Sequence, residues 1–354
     1  MGLNAYFTYT VVIGMGVSWQ AALGAVFVSG VIFLALTFAG IRQLIMSTIP
    51  ASLYHAIAAG IGLFLALIGF RNAGLIVADE ATTVTLGDLS KPEPALALFG
   101  LLLIAGLLAW RVKAAMLIGI VGTTLLALAT GVARWGGQSY DWKEAAAAAM
   151  ELDIRAALEI GAWEIIFVFL FVIFFDNVGT LIAVGTKANF FRDGTDIPRI
   201  QRILLADASA TLVGACAGTS TVVSYIESAA GVAVGGRSGF TAVVTGALFI
   251  AALFAAPVVG VIPAAATAPA LIIVGSMMMT SIRDIDWDDP SVSIPAFLTV
   301  TMIPLSFSIA DGLAIGFVAY TALKVVRGEY KTVNWLVYLL TALFIARFVY
   351  LGGE

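Results

Sequence analysis

Thirteen apolar segments divide this chain, at about 3–15, 20–40, 51–70, 94–110, 112–131, 163–185, 202–217, 219–234, 238–257, 263–281, 292–308, 309–326 and 332–352. Most approach the ~20 residues that a helix needs to cross a bilayer. Hydrocarbon offers backbone groups no water, so only helices and closed barrels cross it. Lengths near twenty without period-two alternation choose helices. Composition removes the soluble alternative: 61% of the 354 residues are hydrophobic and 11% charged, against roughly 25% charged in soluble domains. The chain reads as an all-α polytopic membrane protein, one membrane domain over 1–354. No basic stretch with a cleavage site opens it, so no secretory signal is expected. A lone Cys216 excludes an intramolecular disulfide. His55 and Cys216 are single and apolar-flanked; a metal site needs several ligands, so they read as packing residues. No cofactor motif is evident.

Two segments are too short to span alone. The first is the opening one. The second, "GTSTVVSYIESAAGVAVGG", joins the β-favouring or hydroxyl run Thr219–Val223 to a short helical run. That pattern predicts an extended strand feeding a half-helix, tolerated only where protein or a cavity covers the backbone. Charge placement orients the thread. With the loop after 20–40 on the cytoplasmic side, that side receives twelve basic residues, Arg42 among them, and the other side six. This is the bias of the positive-inside rule. The long loops 71–93 and 132–162 fall on the poorer side. In the second, "DWKEAAAAAMELDIRAALEI" suggests an amphipathic surface helix or a solvated linker.

A repeat is also visible. The pair 94–110 and 112–131 has the spacing of 292–308 and 309–326. Seven segments run from Trp163 to Arg327, and an odd number in each unit requires the two units to be inverted, as in many secondary transporters. Thus 1–131 reads as a partial first repeat, 132–162 as an extramembrane connection, 163–327 as the second repeat and 328–354 as an extra helix.

Acids at membrane depth carry the chemistry. A charge at the bilayer centre costs about 2.5–3.5 kcal/mol on insertion scales, so such residues are rarely idle. Asp176 lies midway through "FLFVIFFDNVGTLIAVG" with no other charge nearby, and Glu227 follows the extended run among small residues. Asp311 stands at a segment junction, where helix capping is an equal reading. Asp207, near Arg202 and a segment end, reads as a surface or cap residue. With Asp207 set aside, no lysine or arginine is available within the helices of Asp176, Glu227 and Asp311 to neutralise them, so a proton is the expected partner of these acids. Two carboxyl groups, an amide such as Asn4 or Asn177, and backbone N–H groups suit a small, neutral, polar substrate. The residues alone give a secondary transporter and not an enzyme. An intramembrane aspartyl protease would need paired acids sharing a proton, and its Gly-x-Gly-Asp pattern is missing. A channel would show a filter repeated by oligomerisation.

"FFDNVGTLIAVGTKANF", "GTSTVVSYIESAAGVAVGGRSG", "DIDWDDPSVSIPAFLTVTMIPLSFSIADGLAIGF" and the opening "MGLNAYFTYTVV" together resemble the AzgA-like purine permeases of the nucleobase–cation symporter-2 (xanthine/uracil permease) superfamily, over essentially the whole chain. The resemblance implies a 7+7 inverted repeat divided into core and gate domains, working by an elevator-type movement. It implies proton symport of hypoxanthine, guanine or adenine across the cell membrane. It assigns Asn4, Asp176 and Glu227 to the substrate, with Thr221 and Ser224 on the strand before Glu227, and makes Asp176, Glu227 and Asp311 the proton-coupling candidates. The expected partners are purine, protons and the bilayer, with no cofactor and no nucleic acid; a homodimer stays open. Members carry about two and a half further segments ahead of the opening motif. The expectation is therefore an incomplete first repeat, and a chain that as written is a fragment unable to transport unless its start lies upstream.

Overall fold

The computed structural model describes residues 6–112, 114–134, 147–159, 200–225, 228–233, 235–254 and 260–350, with 166, 169–170, 173–174, 177–178, 180–182, 184–185 and 188 of the stretch between. The chain forms two compact units, one of residues 1–60, 141–226 and 281–354, the other of 61–140 and 227–280.

The first unit opens on a π-helix, Tyr6–Gly14, followed by α1 (Trp19–Phe38) and α2 (Ile41–Thr48). Ser18 caps α1, its side chain accepting from Ala21 N at 3.3 Å. Gly40, at φ +73°, turns the chain straight from α1 into α2, a conformation that costs glycine little and other residues more. The α3 helix (Ala51–Asn72) starts in this unit. The short α6 (Ile154–Glu159) packs on α1. There Gly24 is needed: a Cβ at that position would lie 2.3 Å from the carbonyl oxygen of Asp153. The described residues of 166–185 are helical, and Ile166, Phe169, Ile173, Phe174, Val178 and Ile182 are all buried. Their three- and four-residue spacing marks one helical stripe turned into protein.

Helix α7 (Ile200–Cys216) lies against α1 and α2, and the chain after it runs on without helix or strand pairing to Tyr225. This unit closes with α11 (Pro290–Leu305), α12 (Ile309–Val326) and α13 (Trp335–Tyr350). The α11–α12 seam depends on missing side chains: a Cβ on Gly312 would stand 2.4 Å from Ile303 Cγ1, and one on Gly316 1.9 Å from Thr299 Oγ1. Small residues at such seams let helices approach where lipid provides no hydrophobic drive for association.

The second unit takes the rest of α3, an antiparallel hairpin of β1 (Ile76–Asp79) and β2 (Thr83–Leu86), α4 (Pro92–Ala109), α5 (Ala115–Ala129), the six-residue α8 (Ser228–Ala233), α9 (Gly239–Phe254) and α10 (Ala264–Met278), which runs into a 3-10 turn, Met279–Asp284. Helices α4, α5 and α10 pack together around a core that includes Leu96, Ala97, Ala127, Ala268 and Ile272.

Among the described residues, five helices are long and apolar enough to cross a membrane: Trp19–Phe38, Ala51–Asn72, Pro92–Ala109, Ala264–Asp284 and Ile309–Val326. Each of these five helices falls on one of the apolar segments, 20–40, 51–70, 94–110, 263–281 and 309–326. Three details differ from expectation. The 71–93 loop folds a hairpin, closed where Asp79 Oδ1 accepts from Ala81 N and Thr82 N at 2.9 and 2.8 Å. In 132–162, residues 135–146 and 160–162, with the first part of the expected surface helix, lie outside the described residues; Ala147 is helical, and a short helix, Ile154–Glu159, is seated on α1. And Arg42 belongs to a helix and is fully buried. It does not face headgroups, so taking it from the twelve leaves eleven basic residues against six on the topology argument.

Candidate functional site

Among the described residues of the first unit, a buried polar cluster is built around Asp207. This residue was expected at a surface or helix end, yet it sits mid-way along α7 and is 7% exposed. The small neighbours Ala206, Ala208 and Ala210 leave room for other elements to reach it. Arg42 comes from α2, delivered by the Gly40 turn. Its Nη2 donates to Asp207 Oδ2 at 3.1 Å, and its Nη1 donates to Thr37 Oγ1 and to the Leu204 carbonyl, both at 3.1 Å. The guanidinium carbon lies 3.7 Å from the centroid of the Phe33 ring, a cation–π contact strengthened by the absence of water. Phe33 in turn meets Phe174 edge-on at 6.2 Å.

Asn177 Nδ2 donates to the same carboxylate oxygen, and Ser224 Oγ donates to Oδ1 at 3.3 Å. One turn along α7, Thr211 Oγ1 donates to the carbonyl of Val222 at 2.8 Å. A Cβ on Gly214 would fall 2.3 Å from Val222 Cγ2, so the segment after α7 doubles back flush against it. One carboxylate thus joins α2, α7, the 166–185 helix and the extended segment. Arg42 balances its charge, the condition for keeping ions out of water, although Arg42 Nε itself has no hydrogen-bond partner among the described residues. Two buried acceptors of the same elements, Asn177 Oδ1 and Thr221 Oγ1, have no hydrogen-bond partner among the described residues. Thr221 is 3% exposed and Asn177 fully buried.

Of the residues singled out from the sequence, Asn4, Asp176 and Glu227 lie outside the described residues. Thr221 and Ser224 are on the extended segment, and Ser224 is in the Asp207 cluster. Asp311 lies in the first turn of α12, three residues after the N-cap Ser308, whose side chain accepts from Asp311 N at 3.1 Å. Its carboxylate pairs with Arg347 from the last turn of α13. The expectation that no cation neutralises the intramembrane acids fails for Asp311, and Asp207, expected near Arg202, pairs instead with Arg42. In both cases the arginine arrives from a different element, which a search along one helix cannot find. Arg42 in particular follows an apolar run like any loop cation, and only the glycine before it hints at a sharp return. His55 Nδ1 lies 3.8 Å from Asp284 Oδ2. Among the described residues no group of three or more histidine, cysteine, aspartate or glutamate side chains could hold a metal.

Residues 1–315 match the family model described as "Permease family" (Xan_ur_permease). The chain belongs to that family. Among its relatives, a "Putative permease MJ0326" of Methanocaldococcus jannaschii is 49% identical over 354 residues, covering 100% of this chain and 81% of the relative. The guanine/hypoxanthine permease PbuG of Bacillus subtilis is 43% identical, with 99% and 80% covered. The adenine permease AdeQ of Escherichia coli is 41% identical, with 99% and 79% covered. The fold is similar to that of the transmembrane domain of a cyanobacterial bicarbonate transporter, BicA, with a TM-score of 0.59 at 15% identity, covering 89% of this chain and 80% of that one. As a member of the permease family with this set of apolar helices, the protein is a multi-pass protein of the cell membrane.

Proposed function

We propose that this permease carries purine nucleobases, hypoxanthine, guanine or adenine, across the cell membrane, and that it turns over no covalent chemistry. The observation that carries this reading is the polar lining of the extended segment between α7 and α8. Buried Thr221 and Asn177 each keep an acceptor without a partner among the described residues. Buried polar groups of native proteins are nearly always paired, and a flat heterocycle with N–H donors suits them. The names of the adenine and guanine/hypoxanthine permeases among the relatives support the same substrate class.

Proton symport follows from Asp176 and Glu227, the carboxyl groups that flank this region in sequence and have no basic neighbour in their own segments. A carboxyl group at membrane depth is most easily carried neutral, so protonation and purine binding would be linked. Asp311 is the weaker coupling candidate, because Arg347 already balances its charge. Alternating access of an inverted repeat, one domain moving the site past the other, is the accompanying mechanism. The test is uptake of radiolabelled hypoxanthine, guanine and adenine by a purine-uptake-deficient host expressing the full-length gene product, with and without an uncoupler. Uncoupler-sensitive uptake, lost in Asp176→Asn and in Glu227→Gln while both proteins remain in the membrane, supports the reading. Wild-type uptake in both variants removes the two acids from the site.

A further inference from the structure

We propose that Arg42 is a positioning residue: through its buried pair with Asp207 it fixes both Asn177, next to Asp176, and Ser224, three residues ahead of Glu227. The inference rests on the purine-permease reading above for the identity of the ligand, but not for the geometry.

Arg42 is fully buried and the side chain of Asp207 is 3% exposed. Such a pair is weak evidence for stability as such, since apolar residues of similar volume often serve a fold equally well. What the pair does here is geometric. Asp207 Oδ2 receives Arg42 and Asn177, and Oδ1 receives Ser224. The extended segment has no strand partner among the described residues. From Thr221 to Tyr225 it is tied down by the Thr211 bond to the Val222 carbonyl and the Ser224 bond to Asp207. Arg42 makes three bonds to α1 and α7 and stacks on Phe33, so the carboxylate it holds cannot swing. Without that anchor, Asp207 is free to turn toward either donor, and the Asn177 helix and the Ser224 segment lose their common reference. A site about 1 Å too loose is already impaired.

The test uses the purified full chain in detergent and the variants Arg42→Gln, Arg42→Lys and Ser224→Ala. Hydrogen–deuterium exchange over 219–225 reads the brace directly, and dissociation constants for hypoxanthine, guanine and adenine read its consequence. Arg42→Gln should speed exchange in 219–225 by about ten-fold relative to α11 and weaken purine binding by about ten-fold, the scale of a lost charged hydrogen bond. Arg42→Lys should recover part of both, because the charge returns without the planar fork. Ser224→Ala cuts the brace beyond the ion pair, so it should reproduce the local exchange even where Arg42→Gln fails to fold. Unchanged exchange at 219–225 in Ser224→Ala, or loosening spread evenly over all helices in folded Arg42→Gln with wild-type dissociation constants, would overturn the positioning role. A wild-type protein that binds none of the three purines would sink the substrate reading instead, while the exchange results still decide the role of Arg42.

Discussion

Among the described residues, two arginines meet intramembrane acids, and they do different work. Arg42 and Asp207 come from positions 165 residues apart and expose 0% and 3% of their side chains. Arg347 and Asp311 are 36 residues apart and expose 19% and 26%. The first pair is tied to two further side chains on its acid and two further acceptors on its base. The second links the first turn of α12 to the last turn of α13, which also share the Thr321–Thr341 hydrogen bond at 2.8 Å. A charge sealed from water must have every neighbour in place, so it dictates geometry. A charge at a partly open helix end can be satisfied in several ways, and it dictates little.

Substitutions should follow that contrast in size. Arg42→Ala should give the largest loss, about 3–5 kcal/mol of stability, because it strands a buried carboxylate. Chemical denaturation in detergent would measure it. Removing both charges, as Arg42→Leu with Asp207→Leu, should recover part of that loss in global stability but not the ordered 219–225 segment. Full recovery of both would erase the distinction between the pairs. Gly316→Leu should cost about 1–3 kcal/mol by overpacking the α11–α12 seam, where a Cβ alone would meet Thr299. It tests whether close helix approach, rather than the neighbouring Arg347 pair, holds that part of the unit. Arg347→Ala should cost only about 1 kcal/mol or less; a loss matching that of Arg42→Ala would show that partial exposure does not weaken the pair.

The smallest effect is at Asp289, the N-cap of α11, which accepts from Ser291 N at 2.9 Å. That backbone bond, helped by the Ser291 side chain and Arg327, holds its carboxyl below the ordinary 3.8. A lowered folded-state value means that the contribution is present at neutral pH and is lost as pH falls through and below 3.8. Asp289→Asn should flatten the stability profile in that acid window and leave it unchanged above.

The spans were legible because hydrocarbon imposes length and apolarity on each helix separately. The run 309–326 and helix Ile309–Val326 coincide to the residue. The same local logic marked the chain after α7 as a break in the helices, but the strand expected over Thr219–Val223 does not form: 219–225 is neither helix nor strand. It missed Asp207 as a hub, because its partners Arg42, Asn177 and Ser224 come from elsewhere in the chain and no periodicity within "LLADASA" reveals them. It misplaced Arg42 for a related reason. An arginine after an apolar run looks like a topogenic loop charge until the chain is known to turn back at Gly40. The hairpin was hidden too, because Thr83 adopts φ +69° without a glycine to announce the turn.

Purine binding by a permease with this braced, polar segment is tested most directly by equilibrium binding of radiolabelled guanine, hypoxanthine and adenine to the purified, folded protein. Saturable binding of at least one of them is expected, competed by unlabelled purine, unaffected by bicarbonate, and weakened in Glu227→Gln. A protein with an intact cooperative unfolding transition that shows no saturable purine binding would contradict it.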